Sequence, residues 1–375
     1  MRTLFSGKKF LATFTLAFIG LTSLSAPANA ASFNDNDGDG IPNSWETNGY
    51  DYDNDGKIDL DFPAWGADPN HKDIFVEMDY MPDLMATQSE LDAITQTFAN
   101  YPIDNPDGRQ GVNIHLDAGS RYAKYDLGGG EEIPYQVLRN ETTVGQLRYD
   151  HSDPARDDVF HYMVFGDYYS DAPGSSGIAQ INGRNFAVTL GPSYWGENVP
   201  SATYIGTFIH ELGHNLGLLH GGDDNVNFKP NYFSIMNYRY QVKGVPLANG
   251  TVSFGYSTHQ HDSVNERSLY EEGGFGPDSH GYLYDYRPDA LADAPIDFNN
   301  DGQISSGPVA ADLNNDGYLS TLHSHDDVAN IRFQARGGDY RYSVTQPRAE
   351  RNELTADQAR DMNLLDEDAP AVNRW

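Results

Sequence analysis

Residues 73–80 run Asp-Ile-Phe-Val-Glu-Met-Asp-Tyr, a β-branched and aromatic stretch that reads as a strand. Leu91, Ile94 and Phe98 then recur at helical spacing between Thr87 and Asn100, with Ser89 near the start. Gly111 to Asp117 alternates through Val112, Ile114 and Leu116 as a second strand, and Asp158 to Phe165 is a more continuous apolar run suited to a central, buried strand. Gly177 to Ile181 and Asn185 to Leu190 are two further strands on either side of an Asn182-Gly183 turn. Ser201 to Gly217 follows as a helix, with Tyr204, Ile205, Phe208, Leu212 and Leu216 as packing positions. Regular structure then thins out in a region rich in Tyr, Gly and Asn. Ser263-Val264-Asn265-Glu266 has the form of a capping box opening a short helix, and a second short helix is expected over Asp327 to Phe333. From Arg336 onward the chain is polar and reads as a loosely attached tail. This succession of strands and helices predicts an α+β layer fold with a mixed sheet.

The first thirty residues have a different pattern. Arg2, Lys8 and Lys9 precede an apolar run from Phe10 to Leu24, and Ala28-Asn29-Ala30 fits a small-residue cleavage site. The expectation is an export signal (1–30), with a secreted mature chain beginning near Ala31. No later stretch approaches the ~20 apolar residues that a membrane span needs, so no membrane anchor is expected. The rest divides into a loop region rich in Asp, Asn and Gly (31–70), a catalytic domain (71–290), a second such loop region (291–335) and the tail (336–375), expected as a monomer. A net charge of -31 over 375 residues argues against nucleic acid and anionic membranes as partners. There is no cysteine, so disulfides and Cys-ligated zinc are both excluded, and an exported chain must find rigidity elsewhere.

Bound calcium is the natural source. Asp35, Asp37, Asp39, Gly40, Ile41, Asn43 and Glu46 fill a complete EF-hand loop pattern, with Ile41 offering its carbonyl and Glu46 closing the loop. Asp51, Asp53, Asp55 and Gly56 open a second loop, with Phe62 where the closing acid should stand. Asp297, Asn299, Asp301 and Gly302, then Asp312, Asn314, Asp316 and Gly317, repeat the opening without a closing glutamate. The spacing is too short for full helix-loop-helix units and resembles the tandem calcium loops of thrombospondin type 3 or dockerin repeats. The competing reading is a set of solvated turns. Four such loops in two pairs favour structural Ca2+.

The segment with specific chemistry is His210-Glu211-Leu212-Gly213-His214-Asn215-Leu216-Gly217-Leu218-Leu219-His220. Histidines four apart on a helix project from one face and can share a metal. Glu211 stands at the edge of that face, within reach of a water on the metal. Glycine at 217 permits a left-handed turn that stops the helix and returns His220 as a third ligand. Three protein ligands leave a fourth position open, as catalytic zinc sites require.

These residues resemble the extended zinc motif of the metzincin metalloendopeptidases. Ser234-Ile235-Met236-Asn237-Tyr238, with Met236 sixteen residues past His220, is similar to that family's methionine turn. The resemblance implies a zincin-like catalytic domain with a twisted mixed sheet, an active-site helix and a Met-turn. It also implies one catalytic Zn2+, protein or peptide substrates, Glu211 as general base and Tyr238 as an oxyanion contact. An edge strand should hold the substrate in extended form, and Gly177 to Ile181 is the candidate. Asn215-Leu216-Gly217 is similar to the adamalysins, whereas Gly221 matches none of the main branches. Two rival readings remain: a calcium-dependent adhesion protein with a degenerate zinc domain, and a zinc hydrolase acting on something other than peptides.

Overall fold

The computed structural model of the protein describes residues 34–333, 349–350 and 353–365. The expected export signal and much of the expected tail lie outside them. Five strands form the body of one sheet: β1 (Asp73–Tyr80), β2 (Asn113–Asp117), β3 (His161–Phe165), β4 (Gly177–Gln180) and β5 (Asn185–Val188). In order β4-β5-β3-β1-β2, β5, β3, β1 and β2 run parallel, and β4 is antiparallel to β5. The parallel pairs place β1 and β3 centrally, where both faces are covered. Accordingly, every residue of β1 is buried.

The period-2 alternation of side chains divides the sheet into two cores. On one face, Val76 and Met78 of β1, Met163 of β3 and Phe186 of β5 share a core with two helices. These are α3 (Gln88–Ala99), through Leu91, Ile94 and Phe98, and α5 (Ser201–Asn215), through Ile205, Phe208 and Leu212. On the other, Tyr162 and Val164 of β3 and Ala187 of β5 pack with Val144 and Leu147 of α4 (Glu141–His151). Helix α3 starts at a capping box: Thr87 accepts from Glu90 N, and the Glu90 side chain accepts from Thr87 N. Beneath the sheet, Arg156 makes a buried ion pair with Asp117 at 2.6 Å and a longer contact with Glu77 at 3.3 Å.

The N-terminal loops lead into α1 (Asn43–Asn48) and α2 (Phe62–Trp65). Phe62, at the position expected to hold a calcium-closing acid, is instead fully buried against Phe75, Trp65 and Phe160. Past α5 the chain forms two small ribbons, β6 (Val245–Pro246) with β7 (Val252–Ser253) and β8 (Val264–Asn265) with β9 (Thr321–Leu322).

Four expectations change here. Strand β3 begins only at His161, because Pro154–Asp158 winds into a 3₁₀ turn. Ser263 to Glu266 opens no helix: Val264 and Asn265 pair with β9, and the Glu266 carboxylate accepts from Leu313 N and Ser320 N instead. Asp327 to Phe333 makes a single turn, because Arg332 N donates to Leu216 O and leaves the helical path. The tail is not loose where it is described. Strand β10 (Ala349–Glu350) pairs antiparallel with β4, and Leu354, Ala356, Ala359 and Leu364, around α6 (Ala356–Asp361), enter the main core. Apolar residues at 354, 356, 359 and 364 are too sparse and too irregularly spaced to stand out in a polar background; only Ala356 and Ala359 share the buried face of α6.

Candidate active site

Helix α5 is buried along most of its length and carries His210, Glu211 and His214 into the interior. It ends where the sequence requires. Leu218 N donates to Gly213 O and Gly217 N to His214 O, with Gly217 at φ 97°, a conformation that favours glycine. This turn returns the chain so that the rings of His210, His214 and His220 form a near-regular triangle, with centroids 4.8, 4.9 and 5.3 Å apart. His210 Nδ1 donates to Ile235 O at 3.0 Å and His214 Nδ1 to Leu218 O at 2.7 Å. Each Nε2 is therefore left with its lone pair facing the centre. Burial lowers the His210 pKa to about 4, so this imidazole is neutral near pH 7.

With each Nδ1 donating to a carbonyl, His210 Nε2 and His214 Nε2 face each other at 3.2 Å. The carboxylate of Glu353 joins them, with Oε2 3.0 Å from His210 Nε2 and 3.4 Å from His220 Nε2, and Oε1 3.3 Å from His214 Nε2. A tetrahedral zinc with ligands at ~2.0–2.1 Å has ligand-to-ligand edges of about 3.3 Å. The donor set and its spacing therefore fit Zn2+. A cation at the centre also resolves the confrontation of lone pairs and buried carboxylate. The Tyr238 hydroxyl lies 3.0 Å from His220 Nε2 and 3.1 Å from Glu353 Oε2, at the rim of the same centre.

Glu211 is fully buried beside the triangle, with its carboxylate against the α-carbon of Gly177 in β4. Met236 is also fully buried, and a β-carbon at Gly213 would lie 2.4 Å from its sulfur. The turn containing Met236 is fixed from a distance. Asp327, wholly buried, accepts from Ser234 Oγ at 2.5 Å, Tyr232 Oη at 2.7 Å and Ser257 N at 3.1 Å. Helix α5 is tied to the sheet by Asn215, whose Nδ2 donates to Gln180 O and Asn185 O across the β4–β5 hairpin.

The four acidic loops share one shape. The glycine at the sixth position (Gly40, Gly56, Gly302, Gly317) has positive φ and donates its N–H to the first aspartate of its loop. Only the first loop is buried. Asp37, Asp39 and Glu46 are nearly inaccessible, and Asp35, Asp37 and Asp39 lie close enough together to share an ion, as do Asp39, Glu46 and Asp73. Burial and mutual carboxylate repulsion raise the pKa of Asp37 to about 6, Asp39 to about 8 and Glu46 to about 9. Neither Glu46 oxygen has a hydrogen-bond partner. Ile41 donates its N–H to Asp39 Oδ1.

In the second loop Asp51, Asp53 and Asp59 converge, whereas Asp55 is turned to the exposed Lys57. Asp297, Asn299 and Asp301 bond within their loop, as do Asp312, Asn314 and Asp316. Beside these two loops, Glu271 accepts from Phe298 N and Ser305 N, and Glu266 from Leu313 N and Ser320 N. Sequence reading gave Glu266 and Asp327 only as parts of expected helix starts and did not single out Glu271 or Glu353. The only available signal was an acidic residue beside apolar ones, as in Glu353-Leu354.

Residues 108–221 match the Reprolysin-like metallo-peptidase family M12B. The match runs from just before β2 to the residue after His220, so it contains Glu211 and all three histidines. No curated protein matches the chain. The family match and the three-histidine cluster together support a metzincin-type zinc metallopeptidase with an α+β fold. Among the described residues, no helix is long and apolar enough to cross a membrane.

Proposed function

We propose that the protein is a secreted zinc-dependent endopeptidase that hydrolyses peptide bonds of protein substrates. The observation that carries this reading is the convergence of three imidazole nitrogens beside a buried glutamate that is not one of the converging groups. His210, His214 and His220 would hold the metal. When bound, Zn2+ supplies a Lewis acid that acidifies water and polarises a carbonyl. Glu211, at the edge of the ligand face, takes the proton of the attacking water and returns it to the leaving amine. Tyr238 is positioned at the rim to donate to a developing oxyanion. Met236 packs against α5 as the floor beneath the ligands. The acidic loops serve as structural calcium sites, best supported at Asp35, Asp37, Asp39 and Glu46, where carboxylates are buried together and neither Glu46 oxygen has a hydrogen-bond donor.

The test is Glu211→Ala. Compared in a form whose unaltered chain cleaves peptides, it should retain one zinc per chain and lose peptide cleavage by about 10²–10⁴-fold. Unchanged turnover would sink the reading. A second reading, a calcium-dependent adhesion protein with a closed zinc site, is favoured by one observation: Glu353 completes a four-ligand set with no open position. A casein zymogram with and without a zinc chelator separates the two.

A further inference from the structure

Glu353 is fully buried, and its carboxylate contacts the three imidazoles and the Tyr238 hydroxyl. It stands where a fourth ligand would be. The segment around it is built onto the site from both sides. Upstream, β10 pairs antiparallel with β4, Ala349 against Gln180 and Glu350 against Ala179. Downstream, Ser176 N donates to Leu354 O, Ala356 N donates to Gly174 O, and Thr355 bridges Ser175. The Thr355–Gln358 capping box then starts α6, which buries Ala356 and Ala359.

The register differs by one between the two pairings. From Glu350 to Thr355 the segment advances five residues while its partner strand advances four, from Ala179 to Ser175. Strand β4 is also the strand against which the Glu211 carboxylate packs. An extended peptide presented to Glu211 would add to the free side of β4 through main-chain hydrogen bonds. That side is taken by this chain's own segment, in the antiparallel sense.

We infer that residues 349–350 and 353–365 form a built-in inhibitory arm: β10 covers the strand edge that would receive a peptide, and Glu353 caps the metal as its fourth ligand. The active form then requires the arm to leave. Calling the arm inhibitory rests on the peptidase reading; the capping of the metal does not.

The test uses the full mature chain and its Glu353→Ala and Glu353→Gln variants, each loaded with Co2+ in place of Zn2+. Glutamine keeps the volume of the side chain, so it covers the case in which alanine prevents folding. Visible absorption of the cobalt centre should change in the variants, and acetohydroxamate, which needs an open metal position, should bind at least tenfold more tightly than to the unaltered chain. Identical spectra and identical acetohydroxamate affinity would overturn the inference, even if all three chains cleave peptides. Altered spectra and tighter binding would establish the cap whether or not any of the three chains cleaves peptides, because β10 still covers the β4 edge in both variants; the peptidase reading is decided separately, by Glu211→Ala.

Discussion

Glu211 and Gly177 are in direct contact: a β-carbon on Gly177 would fall 2.4 Å from Glu211 Oε1 and 2.5 Å from Ala187 O. The second of these is a main-chain atom of β5 and cannot step aside, so even a methyl group must displace the strand or the carboxylate. Gly177→Ala should therefore keep its zinc, since no ligand is touched, while peptide turnover falls by tenfold or more as Glu211 is pushed from its position. Overpacking of this kind costs ~1–3 kcal/mol in stability. Zinc content by atomic absorption and turnover on a peptide pool check both halves. An alanine variant with full turnover would mean that Glu211 has room to spare.

What could be read from the sequence was governed by distance along the chain. His210 and His214 are one helical turn apart, and Gly217 and His220 follow within a single reverse turn, so local geometry alone implies their meeting. Strand β1 and helix α3 were legible because their apolar periods are unbroken. Helix α4 was not: Gly145 interrupts it, and its buried face joins Val144 and Leu147 to the charged Arg148. Glu353 meets His210 across 143 residues, and Asp327 meets Ser234 across 93. No periodicity encodes such meetings. They depend on how the sheet edge and the second loop region pack. Glu266 shows a local signal overridden by tertiary structure, because its carboxylate serves Leu313 and Ser320 rather than a helix start.

The first acidic loop should depend on calcium more than the others. Asp37, Asp39 and Glu46 are buried together, and the Glu46 oxygens have no hydrogen-bond donor. A bound cation supplies the missing partner, and at about a hundred times its dissociation constant contributes ~2.7 kcal/mol. For a domain of this size that corresponds to a fall in Tm of roughly 4 °C on calcium removal. Scanning calorimetry with a calcium chelator and restored zinc measures the fall. In Glu46→Gln, which removes the closing charge, most of it should disappear. An unaltered response to chelation in this variant would move the calcium dependence to another loop.

His161 gives the fold a dependence on acid that is separate from the metal centres. It lies in β3 beneath the end of α5, and its Nδ1 donates to Asn215 Oδ1 at 3.0 Å. Burial, with Arg184 and Arg148 nearby, lowers its pKa from 6.5 to about 3, although the Asn215 contact opposes the shift. The folded chain therefore keeps this imidazole neutral in a range where the unfolded chain protonates it. Its contribution to stability is complete above pH 6.5 and is lost progressively as pH falls toward 3. With a limiting slope of ~1.36 kcal/mol per pH unit, the step from pH 6.5 to 4.5 costs about 2 kcal/mol through this group. His161→Gln keeps an amide in place of the ring and cannot take up the proton. Urea unfolding of both chains at the two pH values should show the unaltered chain losing more stability by about that amount. Weakened metal binding in acid affects both chains alike and cancels in the difference. Equal losses would mean that His161 is already protonated in the folded protein.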